Sequence, residues 1–459
     1  MKPATAEDVA TVDSDAAAWA RPGGSCVPAR TAWPAENPLS GPIFDADTGA
    51  VTGSRTVSAV ISCDGESLGL VGPFAVQGSW AHDVPPVVAR LRAELGVPVA
   101  VLRAVEIRGE PRGGQVIYHV EAFERPRRGR LGPVPGDLEA RIGPDPLRAA
   151  WATRAGLLDA LDWAARVLRA VDRAPVGPAE QIKTWNLSGL FRFPTARGPV
   201  WLKTLPTFAA DEAAALAAVG QVAPALVPAV VAADPAGRRL LLDHVPGTDC
   251  WDPSPDDVRA AVGGLARAQA ALADEPALIP SGVVHDRRLD TLAVEVAGLV
   301  AGEAGARLEP AERAAAQALV ARLPDLAAAL DACGLPETLV HGDFHSGNWR
   351  SGRTRGVILD FSESGRGHPT EDGVWPRECL PDDLWTLAAD TWVAAWRESR
   401  PGSDPARALA LAAPLGHLGH AVSYQGFLDG IEPSEYPYHF GDTTAALRDA
   451  LQASAEAAV

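Results

Sequence analysis

Cysteine is sparse and scattered in this 459-residue sequence: there are five (Cys26, Cys63, Cys250, Cys333, Cys379), with no CxxC pair and no metal-ligand spacing. That is the pattern of a reduced, intracellular protein. Long apolar runs are missing as well, and none reaches membrane-spanning length. Met1 to Ala20 carries several acidic residues and no continuous apolar core, so no secretory signal is read there. A cytoplasmic location and no membrane partner are expected. Positive charge is in deficit: the net charge is −17, which argues against a nucleic-acid partner, because phosphate-backbone sites need a clustered basic surface. The arginine-rich stretch Arg125 to Arg130 sits among Pro and Gly and reads as a solvated linker. No obligate protein partner is evident either.

What is present is an ordinary globular composition, 47% hydrophobic and 22% charged. The length calls for two or three folded units. Residues 1–49 have weak periodicity and are expected to be poorly ordered. Residues 50–125 read as a small α/β domain: strands Thr56–Cys63 and Leu68–Val76 around an Asp64-Gly65-Glu66 turn, a helix Val84–Leu95 ended by Gly96, and strands Val99–Ile107 and Gln115–Phe123. The Pro, Gly and Arg content of 126–146 marks a linker.

From 147 to 247 a helix (Leu147–Val171) leads into strands Gln181–Trp185, Leu190–Pro194 and Val200–Leu205. A helix near Asp211–Val219 and strands Val227–Ala232 and Arg239–Val245 follow. Residues 248–459 are mostly helical. Ser254-Pro255-Asp256-Asp257 is a helix start with Ser at the cap, Pro at the first position and carboxylates in the first turn. A second long helix is expected over Pro310–Ala332, and the tail carries breaks at Pro401, Pro414 and Pro433. Strands first and helices after point to an α+β unit, a small β-rich lobe beside a larger helical one.

The strongest chemical signal is His341-Gly342-Asp343-Phe344-His345-Ser346-Gly347-Asn348, followed by Val357-Ile358-Leu359-Asp360-Phe361. An Asp and an Asn stand five residues apart on a tight loop, ahead of an apolar strand that ends in a second Asp. Phosphoryl transfer needs such parts: one carboxylate to orient the attacking hydroxyl, and an amide and a second carboxylate to hold magnesium. This set resembles the catalytic loop and metal-binding segment of the aminoglycoside phosphotransferase family, relatives of the protein kinases, whose pattern is H-G-D-x-x-x-x-N, a short hydrophobic strand, and D. The resemblance implies a bilobal protein-kinase-like catalytic domain. It makes Asp343 the catalytic base, Asn348 and Asp360 the Mg²⁺ ligands, and His341 a brace for the loop.

The same resemblance asks for a phosphate-binding lysine on the third strand of the small lobe. Lys203, in Val200-Trp201-Leu202-Lys203, fills that place, with Glu212 as its partner, since a lysine among apolar neighbours needs one. The loop Asn186-Leu187-Ser188-Gly189 is either a lid whose Ser188 and backbone N–H groups meet phosphate or a simple hairpin turn. Leu240 to Gly247 resembles the inter-lobe hinge, with the Asp243 carbonyl and the Val245 N–H reading adenine; a plain strand end is the other reading. Asp372, at the end of Gly365 to Asp372, is expected to tie the loop down. Trp375, Arg377, Glu378, Asp382, Tyr424 and Glu432 are candidates for the acceptor pocket, of which only a minority should touch substrate.

In the first domain, Arg92-Ala93-Glu94-Leu95-Gly96-Val97 loosely resembles the end of a Nudix box. Only Glu94 of the needed glutamates remains, so a Nudix-like fold here would have lost its metal chemistry; an unrelated α/β domain is the alternative. The expected function is an ATP- and Mg²⁺-dependent transfer of the γ-phosphate to a hydroxyl of a small molecule such as an aminoglycoside, a sugar or a related metabolite. The alternative is a nucleotide-binding pseudokinase or regulatory module without transfer. ATP is the default donor over GTP.

Overall fold

A computed structural model describes residues 54–78, 80–108, 114–352 and 356–457; the expectation for residues 1–49 lies outside them. The first unit is a four-stranded sheet of β1 (Ser54–Cys63), β2 (Glu66–Gln77), β3 (Val99–Arg108) and β4 (Gln115–Ala122), in the order β2-β1-β4-β3. The β1–β2 and β3–β4 pairs are antiparallel hairpins, and β1 and β4 meet in parallel. Helix α1 (Pro85–Leu95) crosses one face and buries Val87, Leu91 and Leu95 against Val57, Ile61, Tyr118 and Val120. Its apolar residues recur every three to four positions, which is why one stripe can be removed from water. The Nudix-box remnant is spent on this helix: Glu94 faces Arg90 one turn away at 3.3 Å.

The stretch 126–146, expected as a linker, carries local structure. Leu70 and Gly132 exchange backbone hydrogen bonds, and helix α2 (Gly136–Ile142) buries Leu138 against Val60 and Val105. The helix expected over 147–171 divides at Thr153, whose hydroxyl accepts from the Gly156 N–H and caps α3 (Arg154–Ala170).

The small lobe is an antiparallel five-stranded sheet of β5 (Glu180–Thr184), β6 (Gly189–Phe193), β7 (Val200–Thr204), β8 (Val230–Asp234) and β9 (Arg239–Asp243), in the order β5-β6-β7-β9-β8. Helix α4 (Glu212–Val222) lies between β7 and β8 in the chain. One face of the sheet packs on α3 through Phe191, Phe193, Leu202 and Leu241. The other face, with Leu190, Trp201, Leu240 and Leu242, joins the core of the large lobe.

The large lobe starts with β10 (Thr248–Asp249) and α5 (Pro255–Asp274). Ser254 and Asp257 form a capping box there, each side chain accepting the other's backbone N–H. Then come β11 (His285–Arg287), α6 (Leu289–Ala301), the single turn α7 (Glu303–Ala306) and α8 (Pro310–Asp331). Strands β12 (Thr338–Val340), β13 (Trp349–Ser351), β14 (Val357–Ile358) and β15 (Gly365–Gly367) carry the candidate catalytic segments. Helices α9 (Thr370–Val374), α10 (Asp382–Ser399), α11 (Pro405–Leu411), α12 (Ala413–Gly430) and α13 (Asp442–Ala457) complete the chain. The α+β class and the pairing of a β-rich lobe with a helical lobe are as the sequence led us to expect. No helix among the described residues is long and apolar enough to cross a membrane.

Candidate active site

The site forms where the edge of the small lobe meets the loops of β12 to β15. Lys203 points from the middle strand β7 into this junction with no solvent exposure. Its ammonium lies 2.7 Å from Glu212 at the start of α4 and 2.5 Å from Asp360. A buried ammonium is costly unless paired, and here two carboxylates surround it. Burial lowers the Lys203 pKa, but Asp360 and Glu212 outweigh it, so the pKa rises and the lysine stays charged. Burial also pushes Glu212 up, opposed by Lys203. The Phe361 N–H donates to Glu212 at 3.3 Å, so the first turn of α4 and the Asp360 segment are joined directly.

Asp360 sits in the left-handed backbone region (φ 63°), a conformation that costs a non-glycine residue energy and persists where the surroundings enforce it. Its Oδ1 accepts from both Lys203 and the Ser362 hydroxyl, the latter at 2.7 Å.

The loop 341–348 is held from beneath. Asp372 accepts the N–H groups of His341 (2.7 Å) and Gly342 (3.0 Å) and the side-chain amide of Gln269 (2.7 Å). Burial and the neighbouring Glu371 push its pKa up to about 7 against those donors. Gly342 is required: φ is +82°, and a Cβ would stand 2.2 Å from the Glu363 carbonyl. His341 is fully buried, with Nε2 donating to the Leu359 carbonyl at 2.8 Å and Nδ1 accepting the Asp343 N–H at 3.2 Å. It braces the loop against the strand that leads to Asp360 and does not face the cleft.

Asp343 is the loop's exposed carboxylate, with about a third of its side chain open (32%). Asn348 donates to its Oδ2 at 3.2 Å and to its carbonyl at 3.0 Å. His345 stands 3.5 Å away. Burial would raise the Asp343 pKa, but the imidazoles of His345, His420 and His341 outweigh it and hold the group well below the usual carboxylate range. His345 is pushed up in turn, against its own burial, by Asp343.

Other candidates fare differently. Asp243, His244 and Val245 line a narrow cleft with Trp201, Leu242, Arg350 and Leu359. The Asp243 carboxylate is turned to Arg173, and Arg350 donates to the Val245 carbonyl at 3.1 Å, which fixes the hinge to β13. Ser188 is buried, and its hydroxyl accepts from the Trp185 indole at 2.9 Å. Among the acceptor candidates, Trp375 stacks on His420 at 3.3 Å, and Tyr424 lies 5.9 Å from the same ring. Glu432 is a correction to that group: Arg148 grips it at 2.6 and 3.0 Å, so it serves packing between domains.

Two features escaped sequence reasoning. Trp201, two residues before Lys203, presents an indole to the hinge cleft and lies 6.1 Å from the His244 ring at 25°. The second is a cavity of about 290 Å³ beside Gly342 and Arg287, lined by Phe208, Arg287, Glu295, Glu363, Ser423 and Phe427. Burial pushes Glu363 up to about 7, although Arg287 and Ser423 oppose it. A signal for Trp201 was present in its position on the lysine strand; the cavity joins segments too far apart in sequence to read together.

The family model for the phosphotransferase enzyme family (APH) matches residues 183–411. That stretch belongs to the phosphotransferase enzyme family. It takes in Lys203, Glu212, the 341–348 loop, Asp360 and Asp372, and ends before α12, which carries His420, Tyr424 and Phe427. Among solved structures the chain is similar to the macrolide 2′-phosphotransferase MphH from Brachybacterium faecium, at 20% identity over 62% of this chain and 98% of that one, with a TM-score of 0.43. It is also similar to a choline/ethanolamine kinase family protein from Mesorhizobium loti, at 20% identity over 64% of this chain and 98% of that one, with a TM-score of 0.40. No curated protein matches the chain. The match supports a small-molecule phosphotransferase.

Proposed function

We propose that the protein transfers the γ-phosphate of ATP, with Mg²⁺, to a hydroxyl group of a small molecule. The observation that carries this reading is the junction of Lys203 with both Glu212 and Asp360, 2.7 and 2.5 Å away, beside an Asp343 that Asn348 orients. A purely structural lysine needs one partner. Two carboxylates drawn from different lobes assemble the groups that phosphoryl transfer uses.

The donor set suits magnesium. Asn348 spends its amide N–H on Asp343, which leaves its oxygen as the ligand end. Asp360 takes both of its hydrogen bonds on Oδ1. Hard oxygen donors of this kind are what the ion prefers, and bound there it would neutralise phosphate charge. Lys203 would hold the α- and β-phosphates. Trp201 and the main chain of Asp243–Val245 would hold the base. Asp343 orients the acceptor hydroxyl and accepts its proton; its depressed pKa makes it a weak base that stays ionised, suited to a loose transition state in which the proton leaves late. The 290 Å³ cavity limits the acceptor to a small molecule. Its carboxylates, Glu295 and Glu363, and its Phe208–Phe427 ring pair favour one that carries a cationic group.

The test is Mg²⁺-dependent ATP consumption against amino alcohols, amino sugars, neutral sugars and aminoglycosides, with Asp343→Asn as control. Acceptor-dependent turnover that drops by a factor of about 100 to 10,000 in the variant is expected. Unchanged turnover in Asp343→Asn would remove Asp343 from its role. ATP binding without transfer to any acceptor would instead favour a nucleotide-binding module.

A further inference from the structure

The N-terminal unit, outside the matched family region, is built onto both lobes at once. On the small lobe it docks along the free edge of β5. The Gln181 side chain pairs with the Val101 N–H and carbonyl at 2.9 and 2.6 Å, and the Thr184 hydroxyl donates to the Leu102 carbonyl at 3.1 Å. The Thr184 N–H donates to the His82 carbonyl at 3.1 Å.

On the large lobe it grips the segment that joins α12 to α13. Tyr438 is inserted into the core of the N-terminal sheet. Glu432 is held by Arg103 of β3 (3.1 Å) and by Arg148, and Arg103 also donates to the Ser434 hydroxyl at 3.1 Å. Arg103, Glu432 and Tyr438 are almost wholly buried (1%, 2% and 5% exposed), so this attachment is a packed, charge-satisfied joint.

One residue beyond Tyr438, the same segment reaches the site. His439, 1% exposed, lies 3.3 Å from the Asn186 side-chain oxygen in the loop between β5 and β6. On its other side its ring meets Phe427 of the acceptor-side cavity at 5.5 Å. The loop is short and buried. Gly189, the first residue of β6, pairs with Thr204, the neighbour of Lys203, and a Cβ there would meet the Thr204 hydroxyl at 2.7 Å and the Trp151 ring at 3.0 Å. The Trp151 indole donates to the Trp185 carbonyl at 3.1 Å. A phosphate loop in this position is a flap when nothing touches its tip. Here the tip is fastened from the large lobe, and the fastening is held by the N-terminal unit.

We propose that His439 is a positioning residue for the Asn186–Ser188 loop, and that the N-terminal unit is a latch that holds His439 in place and keeps the two lobes in the arrangement that unites Lys203, Glu212 and Asp360. The inference rests on the phosphotransferase reading for its catalytic consequence, and on contacts alone for its mechanical one. The lobes meet at the hinge at 243–247, at the Lys203–Asp360 and Glu212–Phe361 contacts and through this latch, and loosening the latch frees the loop without touching the groups that do chemistry.

The experiment uses the full chain and two readouts. His439→Phe keeps a ring against Phe427 and loses the bond to Asn186; His439→Gln restores a donor; Glu432→Gln loosens the joint at the N-terminal unit while keeping the side chain's size. Hydrogen exchange of the amides of residues 185–190 is expected to speed up about tenfold in His439→Phe and in Glu432→Gln, with His439→Gln near the parent. In turnover, His439→Phe is expected to raise the KM for Mg–ATP about fivefold, the equivalent of one ordinary hydrogen bond, while kcat changes less than twofold. Unaltered loop exchange in both loosened variants overturns the latch, as does a lower KM or a faster turnover in His439→Phe, which would make the contact inhibitory. If Glu432→Gln does not fold, His439→Phe decides alone. If the parent protein neither binds nor consumes Mg–ATP, the phosphotransferase reading falls while the exchange result still settles the mechanical claim.

Discussion

Removal of the Lys203 charge should unsettle the protein in a way that depends on which carboxylates remain. In Lys203→Met the stem's volume is kept, but Glu212 and Asp360, 0% and 4% exposed, lose the cation between them. Breaking a buried pair by deleting one partner costs about 3–5 kcal/mol, because the survivor is left charged and desolvated. Here there are two survivors, and one can take up a proton. The cost should therefore sit near the low end, about 3 kcal/mol at pH 7.5, and shrink as pH falls and protonation relieves the pair. In the parent the Lys203 pKa is raised, so its contribution is fully present below the ordinary lysine pKa and is lost only as pH climbs through the raised value. Lys203→Met/Glu212→Gln removes one orphan and should recover about 1–2 kcal/mol of the loss, a coupling that only directly interacting groups produce. The assay is urea unfolding followed by tryptophan fluorescence at pH 5.5 and 7.5, for the parent, both single variants and the double variant. Parent-like stability of Lys203→Met, or strictly additive losses in the double variant, would refute the argument that this network is charged and buried.

The remaining expectations are simpler to state. Trp201→Ala should weaken Mg–ATP binding about tenfold by calorimetry, the loss of one base–aromatic stack, and should also lower the unfolding free energy by about 3–5 kcal/mol, because the indole fills a core position. Burial and the neighbouring Glu432, against Arg103, push Glu435 up to about 8. Its stabilising contribution is thus greatest below the ordinary glutamate pKa and is lost as pH rises toward 8. Glu435→Gln should flatten the fall in unfolding midpoint between pH 5 and pH 8; an identical slope in both proteins would place the titration elsewhere.

How much of this was legible in the sequence follows from how far apart the cooperating residues are. The Asp343–Asn348 bond closes over five residues, and the loop that contains it reads directly from spacing. Lys203 and Glu212 are nine positions apart on a strand and the helix that follows it; the need of a buried lysine for a partner called for one, and the family resemblance pointed to Glu212. The helix starts at Ser254 and the hairpin at Asp64-Gly65 were local chemistry too. The 126–146 stretch misled because Pro, Gly and Arg content reports turns, whereas the bonds between Leu70 and Gly132 are made to a strand more than fifty residues earlier. Glu432 looked like an acceptor-site carboxylate because nothing near it in sequence is basic; its partners, Arg103 and Arg148, lie 329 and 284 positions away.

The same distance explains why the candidate catalytic set was readable and its setting was not. The residues proposed to handle phosphate occupy a run of local motifs, each short enough to carry its own spacing. The residues that hold the lobes together pair the start of the chain with its end, as Arg103 does with Ser434 across 331 positions and His439 with Asn186 across 253. No periodicity or motif links such segments. Only their burial betrays them: an arginine, a histidine and two glutamates would not be drawn almost wholly out of water unless each met a partner there. The N-terminal unit thus need have no chemistry of its own to matter to the reaction, because it acts on the position of a loop and not on a substrate. A unit that works in this way tolerates the absence of Nudix glutamates, and Mg–ATP affinity and loop order should weaken together when the joint at Glu432 is loosened.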